Sequence, residues 1–562
     1  LTGSRKSVPE ERWPLTASER IQHLHVLILV PSPAWGGREA RETFDPFSHV
    51  EMISAFFPRI LAPDRQALGW VSLNLFSGRD HPFGDASEQE VGRVGMNRLV
   101  VVSNRVGPVR DAARAGGLAV ALVEALKSSG GLWYGWSGKI AECNGAKPTI
   151  EDAGALTLAT LDLSPDEHAE YYNGFANRCL WPLFHYRIDL TAFDRRYYEG
   201  YRRVNAKFAA GLYPLLRDDD TIWVHDYHLL AFGNELRHMG ATQAIGFFLH
   251  IPFPAREVLA SLPHHDAMVR GLFAYDVIGF QTERDCERFR DYVIREAGGR
   301  AQGDTLHCFG RTITVRAFPI GIDTEGFARL AEQDKEARRQ HDKVKASLNG
   351  RTQIIGVDRL DYTKGIAERF RAYERLLTDY PEVRRQVTYM QIAATSRGEV
   401  QEYRAMREEL DGLAGHINGT YGEFDWMPIR YLNRPMARRA LAGLYRASKI
   451  GLVTPLRDGM NLVAKEYVAA QDPEDPGVLI LSRFAGASYQ MPEAIIVNPY
   501  DIKGVADALQ IARYMSLQER RERFDALMTR LKTQDVAQWR DDFLGELATI
   551  SRAQPIAVAS GR

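Results

Sequence analysis

Eight short stretches of this chain are apolar without alternation, and no other feature limits its fold so tightly. They are LVVVS (99–103), TIWVHD (221–226), AIGFFLH (244–250), DVIGFQ (276–281), TQIIGVDRL (352–360), VTYMQIA (387–393), KIGLVTPL (449–456) and GVLILS (477–482). A strand with one face in water alternates apolar and polar residues, whereas a continuous apolar strand is covered on both faces, as in the parallel sheets of α/β proteins. Helical patterns lie between the runs. In AERFRAYERLLTDY (367–380), Phe370, Tyr373, Leu376 and Leu377 share one stripe. The charged stretch EQDKEARRQHDKVKASLNG (332–350) separates two groups of strands and reads as lying just past a domain junction. A chain of 562 residues is also too long for a single core. The expectation is an α/β protein of two doubly wound parallel-sheet domains.

Residues 1–95 lack sustained periodicity, and Met96 opens the strand MNRLVVVSNRV. Together with the initial Leu1, this predicts that 1–95 is an upstream extension and that the functional protein starts at Met96. The predicted divisions are an extension over 1–95, a first domain over 96–327, a second over 328–530, and a C-terminal helix and tail over 531–562, the helix packing back on the first domain. The formal net charge of −1 argues against a protein that coats nucleic acid or an anionic membrane, so any anion site must be local. No run reaches the roughly 18 apolar residues of a membrane span, and HVLILV (25–30) is shorter and lacks a following cleavage site. The four cysteines lie far apart with no CxxC pair, which suggests neither zinc nor a disulfide framework and fits a reducing cytoplasm.

Ligands of open parallel sheets bind beyond the carboxyl ends of the strands, so the polar residues that follow the apolar runs are the candidates. In GVDRLDYTKG (356–365) two cations, Arg359 and Lys364, stand where a strand gives way to a loop ahead of a helix. With a helix N-terminus behind them they suit a diphosphate; the alternative is an ion pair with Asp358 or Asp361. In LRDGMNLVAKE (456–466), Asp458 and Glu466 can each take two sugar hydroxyls, or Asp458 can simply cap a helix. Gly116 and Gly117 precede an amphipathic helix and present backbone N–H groups to a phosphate or sugar, or merely form a turn. His225, Asp226, His228 and His250 lack the spacing of a helical HExxH pair, and no metal is expected; His250 can also be a satisfied buried histidine. Trp133, Trp136 and Trp181 are either core or sugar-facing aromatics.

From Met96 onward, about four-fifths of the chain, the ordered motifs VVSNR, AGGLA, GLWYGWSG, EYYNGFANRCLWPLFHYR, WVHDYHL, GFFLHIPFP, GFQT, DRLDYTKG, TSRG, TPLRDGMNLVAKEYVAAQ and VNPYD closely resemble those of the trehalose-6-phosphate synthases, retaining glycosyltransferases of the GT-B fold. The resemblance implies two Rossmann-like domains facing across a cleft, the first binding glucose 6-phosphate and the second UDP-glucose. By position it assigns Arg105, Tyr172, Asp226 and Arg397 to the acceptor, the two arginines to its phosphate. It assigns Gly116 and Gly117 to the donor loop, Arg359 and Lys364 to the donor diphosphate, Asp458 to the donor glucose and Glu466 to the ribose. The backbone of Leu462, Val463, Ala464, Lys465 and Glu466 falls at the nucleotide, and Met436 beside the uracil where some relatives carry phenylalanine. Trp181 and Ile251 match positions tied to selection of the α anomer, and His250 is placed at the donor sugar through its backbone or ring. Gln490 stands where relatives often have glutamate.

The reaction implied is transfer of glucose from UDP-glucose to glucose 6-phosphate with retention, without cofactor or metal. No membrane or nucleic-acid partner is implied, and a homo-oligomer is compatible with it. Arg359, Lys364, Asp458 and His250 are the implied catalytic residues. Retention without a placed nucleophile points to front-face substitution, in which the departing phosphate takes the acceptor proton and the two cations stabilise the leaving group. A donor such as GDP- or ADP-glucose, a pseudo-glycosyltransferase and a catalytically silent regulatory homologue stay open as alternatives. No DxDxT-type phosphatase motif occurs, so the product is expected to keep its phosphate.

Overall fold

The computed structural model describes residues 98–107, 122, 126, 130–142, 145–154, 156–395 and 401–553, with the backbone alone for 401, 402 and 551–553. The predicted extension, the start at Met96 and the apolar run 25–30 lie outside the described residues.

All eight continuous apolar runs form strands, and the strands fall into two sheets. The first sheet comprises β1 (Leu99–Arg105), β2 (Gly131–Ile140), β3 (Thr149–Asp152), β4 (Leu156–Leu163), β5 (Thr221–His225), β6 (Ala244–Phe248), β7 (Val277–Phe280), β8 (Arg300–Gln302), β9 (Thr305–Cys308) and β10 (Arg311–Ala317). Its order is β3-β4-β2-β1-β5-β6-β7-β10-β9-β8. From β4 through β10 the neighbours run parallel, and antiparallel pairs finish both edges. The second sheet comprises β11 (Thr352–Arg359), β12 (Val387–Ala394), β13 (Ile429–Leu432), β14 (Ile450–Val453), β15 (Val478–Ser482) and β16 (Ile495–Val497). Its order is β13-β12-β11-β14-β15-β16, parallel throughout. In both, strand order reverses near the first strand, and such a reversal leaves a crevice at the carboxyl ends.

β2 has no counterpart among the apolar runs. Its sequence GLWYGWSGKI mixes glycine and tryptophan, yet Leu132, Trp133 and Tyr134 are fully enclosed and Trp133 Nε1 donates to Ser103 Oγ at 2.8 Å. Trp133 is therefore core; Trp136 and Trp181 are buried too, but each has an arginine, Arg105 or Arg359, 5.7 Å from its ring centre.

The helix Ile366–Asp379 packs the second sheet with Phe370, Tyr373, Leu376 and Leu377, the stripe predicted for it. The charged stretch contains the helix Lys335–Leu348, whose buried residues are Ala337, Val344 and Leu348. The chain crosses between sheets after β10 and returns at residue 534. The two crossings touch: Thr324 Oγ1 donates to Leu531 O at 2.9 Å, and Val536 N to Ile322 O at 3.3 Å. The final helix, Val536–Ala553, lays Phe543 and Trp539 on Trp223, with ring centres 4.9 and 4.8 Å apart. It thus packs on the first sheet although the helix before it, Leu517–Thr533, packs on the helix Leu462–Ala469 of the second domain.

Candidate active site

The cation pair of GVDRLDYTKG sits at the carboxyl end of β11. The Arg359 guanidinium carbon lies 5.7 Å from the centre of the Trp181 ring, so it reaches toward a residue of the first sheet's domain. Lys364 Nζ donates to Asp458 Oδ2 at 2.5 Å. Neither local carboxylate is the partner. Asp358 pairs with the buried Arg369, and Asp361 accepts from Thr363 N at 3.0 Å and Thr363 Oγ1 at 2.9 Å. Gly365 turns the chain with φ of +65°, where a Cβ would lie 2.6 Å from Thr454 O. The helix that follows has no side-chain cap, which leaves its first N–H groups and the positive end of its dipole beside Lys364.

Asp458 is not the cap of the next helix. That role falls to Asn461, whose side chain accepts from Ala464 N while its Nδ2 donates to Asp458 Oδ2 at 3.0 Å. Burial opposes ionisation of Asp458, but Lys364 outweighs it and holds the carboxyl below the usual range. The loop carrying Asp458 presses on the first domain: a Cβ at Gly459 would stand 2.0 Å from His250 O and 3.0 Å from Ile251 Cα. Glycine alone permits this approach.

Of the backbone and the ring of His250, both open to a donor sugar on the sequence, the structure withdraws the ring. The ring is turned inward, with Nε2 3.1 Å from His225 Nδ1 and Nδ1 3.3 Å from Gln281 Nε2, and burial lowers its pKa to about 3. Both ring nitrogens are engaged, so only the main chain of His250 is left to face a donor sugar. His225 and His250 bond each other and Asp226 turns to the His250 backbone, which leaves them no common focus. Among the described residues no group of three or more His, Cys, Asp and Glu side chains converges as a metal site requires.

Glu466 stands on the helix Leu462–Ala469, whose first turn brings the N–H groups of Leu462 and Val463 to its open end. Burial pushes its carboxyl up to about 7, against the pull of Arg438. Ala464 is buried, and Met436 packs partly exposed at the same core. Lys465 points elsewhere: Nζ donates to Ile320 O and to Gln490 Oε1, both at 2.6 Å, and Gln490 Nε2 donates to Gln534 Oε1 at 2.6 Å. Its side chain thus ties the helix to both crossings, and burial without an ionised partner lowers its pKa to about 7.

On the facing side, Arg105 ends β1 with its guanidinium carbon 5.7 Å from the centre of the Trp136 ring. Tyr172 lies 5.5 Å from Trp136 and stacks on His228 at 5.9 Å. It belongs to the segment His168–Leu180, wound wider than an α-helix, which ends with Trp181 N bonded to Ala176 O. Asp226 follows β5 with φ of +76° and accepts from His250 N at 3.3 Å. A non-glycine residue held there is strained, as residues at functional sites often are. Gly116, Gly117 and Arg397 lie outside the described residues.

One residue that sequence reasoning passed over is His185. It is 4 % exposed, its Nδ1 bonds Trp181 O at 2.7 Å, and its Nε2 has no partner among the described residues. Burial lowers its pKa to about 4, and it feels the charges of Asp361, Asp458 and Lys364. A neutral imidazole with a bare Nε2 is an acceptor for a sugar hydroxyl. Its spacing of four from Trp181 was the available signal.

Two doubly wound domains, with cations and carboxylates gathered where their strand ends meet, define a GT-B glycosyltransferase. The model of glycosyltransferase family 20 matches residues 97–549, and the chain belongs to that family. It is similar to the trehalose-6-phosphate synthase of Sinorhizobium fredii, with 50 % identity over 462 residues, 81 % of this chain and 99 % of the relative. Against that of an Enterobacter species the identity is 47 % over 468 residues, covering 83 % and 97 %. A crystal structure of the UDP-forming α,α-trehalose-phosphate synthase of Burkholderia xenovorans with glucose 6-phosphate matches with a TM-score of 0.77 and 49 % identity, covering 80 % of this chain and 100 % of that one. The Escherichia coli protein bound with UDP-2-fluoro glucose matches with a TM-score of 0.77 and 47 % identity, covering 80 % and 98 %. The resemblance read from the motifs is thereby borne out, as is the two-domain fold.

Proposed function

We propose that the chain transfers glucose from UDP-glucose to the anomeric hydroxyl of glucose 6-phosphate, with retention, giving α,α-trehalose 6-phosphate and UDP. The observation that carries this reading is the placement of Arg359 and Lys364 on the rim of the second sheet, the guanidinium toward Trp181 and the ammonium on Asp458. Similarity across nearly the full length of relatives that carry out this reaction supports it.

In the reaction the C1–O bond to the diphosphate breaks and charge collects on the β-phosphate oxygens. In this reading Arg359, Lys364 and the uncapped N-terminus of the helix Ile366–Asp379 meet that charge. With two fixed cations, the leaving group needs no divalent ion for neutralisation. The acceptor hydroxyl enters from the face the diphosphate leaves, forming the new C1–O bond, and its proton passes to the departing phosphate oxygen. Asp458 holds the donor glucose and Glu466 the ribose; Arg105, Tyr172, Asp226 and Arg397 hold the acceptor. Gly116 and Gly117 serve the donor loop, Met436 flanks the uracil, and Trp181 and Ile251 shape the α-anomer pocket. Among the described residues no helix is long and apolar enough to cross a membrane, and the free cysteines Cys179, Cys286 and Cys308 suit work in the cytoplasm.

The test is incubation of the chain with glucose 6-phosphate and UDP-, GDP- or ADP-glucose, following nucleoside diphosphate release and the linkage of the product by NMR. Release of UDP dependent on glucose 6-phosphate, with an α,α-1,1 linkage, is expected. Preference for another nucleotide, or no acceptor-dependent release, overturns the reading.

A further inference from the structure

One residue of the motif LRDGMN takes no part in the reaction above. Arg457 precedes Asp458 but points to the other side of the loop, where its guanidinium carbon lies 3.8 Å from the centre of the Tyr186 ring and 5.6 Å from that of Phe484. Among the described residues it donates to no carboxylate and no carbonyl. Three more arginines line the same cleft: Arg284 and Arg288, from the helix Glu283–Arg295, and Arg483, which follows β15. The cleft adjoins a recess of about 330 Å³ bounded by Arg284, Arg483, Tyr489 and Asn498.

The charges do not balance. Arg288 has Asp285 at 3.5 Å and donates to Phe253 O, and Arg284 bonds Tyr489. Arg483, with its guanidinium carbon 5.8 Å from the Phe484 ring centre, has no carboxylate partner among the described residues. Asp458 lines the cleft too, but its carboxylate is taken by Lys364 and Asn461. Asp285 is thus left as the carboxylate for four guanidinium groups, and burial pushes its own pKa up. Burial and the like charges of Arg288 and Arg284 lower the pKa of Arg457. Arg288 and Arg457 are half-buried and Arg284 and Arg483 are exposed at the mouth of the cleft; guanidinium groups set side by side repel one another unless an anion joins them, and their planar forks match the oxygens of a phosphate.

We propose that this cleft is a second anion site, separate from the donor diphosphate site, which takes inorganic phosphate or a small phosphate monoester between the two domains. Arg284 and Arg288 come to it from the first domain and Arg457 and Arg483 from the second, so an occupant bridges them one peptide bond from Asp458. The inference rests on this geometry and not on the identity of the sugar donor.

The test is calorimetric titration of the full chain with inorganic phosphate and, separately, glycerol 3-phosphate, at constant ionic strength and with UDP and glucose 6-phosphate saturating. One site per chain is expected, weakened about tenfold or more by Arg284→Ala or Arg483→Ala, each of which removes charged hydrogen bonds from an exposed side chain. Binding that is lost with Arg284→Ala/Arg483→Ala is expected in Lys364→Met without substrates as well, beside any binding at the acceptor site, which separates this result from failure of the proposed function. Arg329→Ala, on an exposed helix face elsewhere, should leave binding unchanged. Tighter binding of glycerol 3-phosphate identifies a monoester site, and tighter binding of phosphate a site for the free ion. Absence of binding, or binding that survives the Arg284→Ala/Arg483→Ala double substitution, overturns the proposal.

Discussion

Replacing Lys364 by methionine separates two jobs that the structure gives one ammonium group. It neutralises Asp458, and in the proposed reaction it stabilises the departing diphosphate. The Lys364 and Asp458 side chains are only 11 % and 15 % exposed, so the pair is largely out of water. Breaking a buried pair costs about 3–5 kcal/mol. Asn461 still donates to the carboxylate, which places the expected loss at the low end, about 3 kcal/mol. Loss of one preorganised donor to the leaving group costs a further factor of about 10²–10³ in kcat. Adding Asp458→Asn removes the stranded charge, so the double variant should regain most of the stability yet remain as slow as the single one. Urea unfolding reads the first quantity and initial rates of UDP release the second. A single variant within about threefold of the parent rate, or a double variant whose rate returns with its stability, refutes this account of the cation.

Three further outcomes follow from buried charges. Glu466 titrates at about 7 in the free protein, and ribose hydroxyls favour its ionised form, so donor binding near pH 7 should release protons and the donor KM should fall as pH rises through 7; calorimetry in buffers of different ionisation enthalpy checks this, and Glu466→Gln should abolish it. Lys465 has a folded pKa lowered to about 7, so above that pH the unfolded chain holds a proton the folded one lacks, and stability should rise with pH until the ordinary lysine value is reached. Gln490→Glu supplies a carboxylate to Lys465 Nζ and should flatten that rise in urea unfolding between neutral and alkaline pH. Arg369→Met strands the buried Asp358 beneath the second sheet and should cost about 3–5 kcal/mol by denaturant unfolding, with Asp358→Asn restoring part of it.

The parts of the fold legible in the sequence were those fixed by local pattern. TIWVH, AIGFF and VLILS can be buried on both faces only as inner strands of parallel sheets, and the stripe of 367–380 can face only such a sheet. β2 was not legible, because its glycines and tryptophans carry no strand signature until neighbours on both sides enclose them. Edge strands such as β3 and β8, exposed along their length, had even less to show.

At the site, the sequence by itself determined which charges stand beyond strand ends and on the helix that follows: Arg359, Lys364 and Asp458 in the loops and Glu466 on the helix were named from spacing and residue type. Only the tertiary structure decided what each one touches. Lys364 bypasses Asp358 and Asp361 for a carboxylate beyond another strand, Asn461 displaces Asp458 as the helix cap, and the His250 ring turns into the core. Periodicity reports burial a few residues at a time, whereas a salt bridge, a ring orientation or a knot of arginines depends on which remote segments the packing brings within a few ångströms of each other.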